Sequence, residues 1–180
     1  MKSYPYILVI TGLTGIITSL LLTLDKIALL KNPQAILPCN INPLVSCGPI
    51  INTWQASAFG LPNPIFGIVG FSLVLMTGVI LIFGTQLSNK FWKLFTLGTI
   101  FPLLFIHWLI YQSVHVIGNL CLYCMITWIA VWPLFFYSLI NLLKIKGENF
   151  ITKNHLTIFV SWYLLITLLI LSHFRDFFFS

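Results

Sequence analysis

Charge is what this sequence has least of. Only three acids, Asp25, Glu148 and Asp176, occur among its 180 residues, and charged side chains make up 7% of the chain against 59% hydrophobic. A soluble domain carries about a quarter of its residues as charged side chains, so this composition excludes one. The net charge of +6 comes without any basic cluster interleaved with aromatics, which excludes a nucleic-acid interface. No His follows the stretch Cys121-Leu122-Tyr123-Cys124, where Met125 stands instead, and covalent haem attachment needs one. No His or carboxylate forms a recognisable ligand set with the cysteines in the sequence, so no metal is expected.

What is present is apolar length. Five runs, about 6–24, 65–83, 91–111, 120–143 and 156–172, each approach the ~20 residues that cross the hydrocarbon of a bilayer. The expected fold is all-α and integral to the membrane, one domain over 1–180 with a single long connection at 25–63. Cationic residues set the orientation. With the N-terminus inside, Lys2, Lys90, Lys93, Lys144, Lys146 and Lys153 fall inside, and only Lys26, Lys31 and Arg175 outside. All four cysteines then face the outer compartment, which in bacteria is oxidising.

The cysteines form two pairs, Cys39 with Cys47 in the long loop and Cys121 with Cys124 at the mouth of the fourth run. Asn119 is the expected N-cap there, putting Cys121 in the first helical turn, where free N–H groups and the helix dipole favour a thiolate. Cys124 lies one turn deeper, beside Trp128. Four cysteines allow three connectivities, and the residues alone choose none. Purely structural disulfides in a scaffold or transporter are the alternative to an electron relay. The relay reading rests on one pair lying in a loop and the other on a helix end, with a lipid quinone as the two-electron acceptor dissolved where Cys124 points.

Three further positions stand out. Between Pro49 and Phe59, apolar residues at helical spacing predict a short helix lying on the membrane surface. Asn63 stands at the cap position of the second helix, where its amide caps the helix or donates to a ligand carbonyl. His107, in the third run, handles protons or satisfies a helix–helix hydrogen bond.

Cys39 and Cys47, the segment Phe59-Gly60-Leu61-Pro62-Asn63-Pro64-Ile65-Phe66-Gly67, and Cys121-x-x-Cys124 with Trp128 resemble the vitamin K epoxide reductase family in its bacterial disulfide-forming branch. The resemblance implies four of the five transmembrane helices forming a quinone-binding bundle, lidded by the short surface helix of the first extracytoplasmic loop. It implies that Cys39 exchanges with a periplasmic thioredoxin-fold (DsbA-like) protein, that Cys47 passes electrons to Cys121, and that Cys124 reduces ubiquinone or menaquinone. It assigns quinone contacts to Asn63, Phe66 and Trp128, and places Thr53 near the loop thiols; His107 joins this set as the polar group of the third run. Many bacterial relatives carry a thioredoxin-like domain after the fifth helix, and with the chain ending at Ser180 the redox partner is expected to be a separate protein. The implied location is the bacterial inner membrane.

Overall fold

The computed structural model describes residues 4–143 and 153–175. Among these residues six α-helices follow in chain order: α1 (Tyr4–Lys31), α2 (Cys47–Ile51), α3 (Asn63–Ile82), α4 (Asn89–Tyr111), α5 (Leu122–Leu142) and α6 (His155–His173). A 3-10 turn, Trp54–Ser57, follows α2, and α4 runs on into a π-helical turn at Gln112–Ile117. Among the described residues there is no strand, only a parallel backbone bridge between Val45 and Leu120. Five helices, all but α2, are long and apolar enough to cross a membrane. The five expected runs correspond to these helices. The expected turn after the fourth run lies largely outside the described residues, as does most of the tail.

The main difference is in α1, expected to end at Leu24 but continuing to Lys31. Leu22, Asp25 and Leu29 repeat at helical spacing on its inward face, so the buried stripe does not stop where the apolar run does. Asn32-Pro33 ends it, because a residue before proline is pushed out of the helical region, and the Asn32 side chain accepts from the Gln34 amide at 3.1 Å. The extension places Asp25 within the bundle instead of in the loop.

α1 packs along α3 and also against α5, which in turn packs on α4. Small residues permit the close approach of α1 and α3, as expected when helices associate without a hydrophobic drive. A Cβ on Gly12 would lie 2.7 Å from the Leu75 backbone nitrogen, whereas one on Gly70 would have nothing within 4 Å. Gly12→Leu is therefore expected to destabilise the bundle by about 2–3 kcal/mol and Gly70→Leu to change little, read as unfolding midpoints in mixed micelles.

The buried side chains form three groups along the bundle. Tyr4, Leu8, Val74, Leu134 and Phe159 belong to the first, and Phe71, Ile106, Ile110, Trp128 and Val131 to the second. The third holds Leu22, Leu29, Leu37 and Ile51 with three of the four cysteines, Cys39, Cys47 and Cys121. Cys124 packs against both the second and the third. In α6 only Phe159 is buried. That helix is fixed from outside by hydrogen bonds from Trp162 Nε1 to His107 Nε2 (3.1 Å) and from the Tyr163 hydroxyl to the Ile129 carbonyl (3.0 Å).

Candidate active site

The first sulfur pair is set by two asparagines. Asn40 Oδ1 accepts from the Ser46 hydroxyl at 2.9 Å and from the Cys47 and Gly48 amides at 3.1 and 3.4 Å. Asn42 Oδ1 accepts from the Leu44 and Val45 amides at 3.0 and 2.6 Å. Side chains of this kind substitute for backbone partners in tight turns. They fold the chain back so that Cys39 and Cys47 lie 5.8 Å apart at Cα and are joined as a disulfide. Of the connectivities the sequence leaves open, this is the one formed; Cys121 and Cys124 are free thiols.

The loop is then tied to the head of α5. The Ser46 amide donates to the Leu120 carbonyl and the Leu120 amide to the Leu44 carbonyl, both at 2.8 Å. Asn119 Nδ2 donates to the Pro43 carbonyl at 2.8 Å. Ser46 and Leu120 each precede a cysteine, so the tie brings the two sulfur pairs side by side. Cys39, Cys47 and Cys121 are all 0% exposed within one group of apolar side chains.

This tie corrects the expectation for Asn119. Its amide is spent on the loop, and the helix cap is Cys121 itself, in extended conformation, with its sulfur accepting from the Cys124 amide at 3.4 Å. Cys121 thus sits one residue before the first helical turn. Its thiol is held below the ordinary range chiefly by a hydrogen bond from the Cys124 thiol, with the Cys124 and Tyr123 amides adding to this; burial and the charge of Asp25 oppose it.

Asn63 begins α3, and its side chain faces back into the preceding segment: Nδ2 donates to the Gln55 carbonyl at 2.6 Å and Oδ1 accepts from the Ala58 amide at 3.2 Å. Gln55, buried, donates from Nε2 to Gln112 Oε1 at 3.0 Å, joining the 3-10 turn to the end of α4. The Thr53 hydroxyl donates to the Ile50 carbonyl at 2.7 Å. Phe59 closes this segment over α3 and α4, its ring 5.7 Å from Phe66 and 5.8 and 5.3 Å from Phe101 and Phe105. Phe66 is half exposed, and Trp128 is buried beside Phe71.

His107 makes a hydrogen bond between helices. Its Nδ1 lies 2.7 Å from the Leu103 carbonyl, its Nε2 accepts from Trp162, and its ring faces Trp132 and Trp162. Both nitrogens are occupied by helix contacts.

The sequence gives no notice of Asp25 as a site residue. Its carboxylate, 8% exposed, lies 3.3 Å from the Cys39 sulfur. The signal available was its charge: it is the sole acid before Glu148 and ends an otherwise apolar run. Asp25, Cys39 and Cys47 place ligand-type atoms within 4.8 Å of one another, but the two sulfurs are bonded to each other and offer no thiolate donor. An open apolar groove of ≈ 370 Å³, lined by Ile7, Thr14, Ile126, Ile129 and Pro133 among others, includes none of the site residues named above.

The family profile described as "Vitamin K epoxide reductase family" matches residues 6–139. Over 98 residues the chain is 31% identical to the thiol-disulfide oxidoreductase LTO1 of Arabidopsis thaliana, an alignment covering 52% of this chain and 26% of the relative. The aligned part thus amounts to about a quarter of that relative's length.

Proposed function

The chain belongs to the vitamin K epoxide reductase family, and from that membership we propose that it is a quinone-dependent thiol–disulfide oxidoreductase of the bacterial inner membrane. It acts as one membrane domain, N-terminus inside and sulfurs outside, in which α1, α3, α4 and α5 form the bundle and α2 with the 3-10 turn lies over its outer end. The observation that carries the reading is the packing of Cys39, Cys47 and Cys121 in one buried group with Cys124 at its edge. A disulfide that only braces a fold has no use for a second, reduced pair tied against it, and this weighs against a scaffold.

In this reading a reduced thioredoxin-fold (DsbA-like) protein opens Cys39–Cys47 by exchange at Cys39. With Cys121 and Cys124 oxidised to a disulfide, the Cys47 thiolate attacks Cys121 and Cys124 leaves as thiolate. Cys39 then attacks Cys47, and Cys121 is released. Two electrons have moved from the loop pair to the α5 pair, and the observed combination of bonded Cys39–Cys47 and free Cys121 and Cys124 is the state reached. Cys121, with its thiol held low, is a good leaving group in this last exchange. Oxidation of Cys121 and Cys124 to a disulfide then delivers two electrons and two protons to the quinone.

The surroundings of Cys124 suit a flat, apolar acceptor: Trp128 and Phe71 belong to the buried group it packs against, and Met125 packs on the same group. Phe66 and Phe59 offer aromatic surface where the segment before α3 closes over the bundle. Asn63 has two amide hydrogens, and the one not given to Gln55 is left for a carbonyl oxygen. Thr53 orders the turn after α2, and we assign His107 to packing. The test is spectroscopic. Purified protein in lipid with ubiquinone or menaquinone and a reduced thioredoxin-fold protein should consume the quinone absorbance, and no loss above the protein-free rate refutes the reading.

A further inference from the structure

We infer that Asp25 is the proton acceptor that activates Cys39. The inference rests on the internal transfer proposed above and adds a catalytic group to it. The Asp25 carboxylate touches the Cys39 sulfur at 3.3 Å. In the observed state that sulfur is bonded to Cys47 and has no proton, so the contact is not a hydrogen bond; once Cys39 is a thiol, the same placement makes the carboxylate its acceptor. Among the described residues this is the one polar contact of the Asp25 side chain within hydrogen-bond range. The neighbouring cation is directed elsewhere, since Lys26 Nζ donates to the Ile51 carbonyl at 2.8 Å. An acid that is 8% exposed, on the inward face of α1 and without an ion pair among the described residues, is costly to keep, and its contact with a reacting atom supplies a reason.

Cys39 needs such a partner more than the other cysteines do. Cys121 caps a helix, where amides and the Cys124 thiol favour its thiolate. Cys39 lies in a turn, 0% exposed, and unlike Cys121 caps no helix. A buried thiol in apolar surroundings stays protonated and is a poor nucleophile. The step balances as a transfer within the chain. The Cys39 thiol gives its proton to the Asp25 carboxylate, its sulfur attacks Cys47, the Cys47–Cys121 bond breaks, and Cys121 leaves as thiolate with the electron pair. One negative charge moves from Asp25 to Cys121, and the proton stays on Asp25. The titratable groups around Asp25 are Cys39 and Cys47 from the loop and α2, and Cys121 and Tyr123 from the head of α5, while Lys26, next to it on its own helix, is directed to the Ile51 carbonyl.

The full chain in nanodiscs, fully reduced, is oxidised with a short-chain quinone or, independently of any quinone, with diamide. Acid quenching, alkylation and mass spectrometry then follow the Cys47–Cys121 and Cys39–Cys47 bonds with time. For Asp25→Asn the conversion of the first into the second should be slower by about a hundredfold near neutral pH. The deficit should close as pH rises above the ordinary thiol range of about 8.5, because burial delays ionisation of Cys39 until hydroxide supplies the thiolate. Asp25→Glu should recover part of the rate. Formation of Cys39–Cys47 at high pH in the isosteric Asn variant shows that its fold is intact. An unchanged rate, a deficit of equal size at every pH, or a Glu variant no better than Asn overturns the assignment and leaves the carboxylate a packing role. Because the diamide arm needs no quinone, failure of quinone oxidation alone counts against the proposed acceptor and not against Asp25.

Discussion

Cys124→Ala is expected to lower quinone reduction by about a thousandfold, which corresponds to about 4 kcal/mol of lost transition-state stabilisation. The loss should leave the Cys47–Cys121 disulfide trappable, because the residues that tie the loop to Leu120 are untouched. Cys124 is the one cysteine that packs both on the sulfur group and on the aromatic group below it, so no other thiol can replace it at that boundary. A second readout has a definite sign. The largest influence lowering the Cys121 thiol is the hydrogen bond from Cys124, and alanine removes it, leaving burial to act in the opposite direction. In a Cys47→Ser background the alkylation of Cys121 should therefore persist to lower pH with Cys124 present, and its midpoint should move to higher pH in Cys124→Ala. Undiminished quinone turnover in Cys124→Ala refutes the electron route, and an unmoved midpoint refutes the thiol–thiol hydrogen bond.

The parts of this molecule legible in the sequence are those fixed by composition and short-range chemistry. Apolar length marked the five long helices, and the Cys-x-x-Cys at the head of α5 marked the dithiol, since neither depends on distant contacts. The helix within the loop was expected between Pro49 and Phe59, and the chain instead makes α2 from Cys47 to Ile51 and a separate 3-10 turn from Trp54. What could not be read was set by partners outside the helix to which each residue's local pattern points. Asn119 has the residue type and spacing of a helix cap, yet its amide goes to Pro43, a partner 76 residues away. Asn63 likewise looked like a cap, and the carbonyl of Gln55 claims it. The charge of Asp25 ends an apolar run and so points to a loop, whereas the inward stripe of α1 carries it into the bundle, against Cys39. In each case local propensity named a plausible role, and a tertiary partner satisfied the same polar group elsewhere.

Cys39→Ala should abolish oxidation of a reduced thioredoxin-fold protein, by about a thousandfold, while turnover with dithiothreitol falls by no more than about tenfold. The difference follows from size and burial. Cys39 is 0% exposed, and the loop that carries it is held to α5 by three hydrogen bonds of 2.8 Å. A protein partner therefore has to meet a loop displaced from that tie, and Cys39 is then the sulfur it exchanges with. Dithiothreitol is small enough to enter the site and reduce an oxidised Cys121–Cys124 pair directly, bypassing the loop. The same tie predicts the direction of a milder change. Asn119→Ala removes the hydrogen bond to Pro43, worth about 1 kcal/mol, and should raise the rate at which a water-soluble phosphine reduces Cys39–Cys47 by several-fold. Equal losses for the protein and the small dithiol in Cys39→Ala would mean that both enter at the same sulfur, and the loop pair would then not be a separate station on the route.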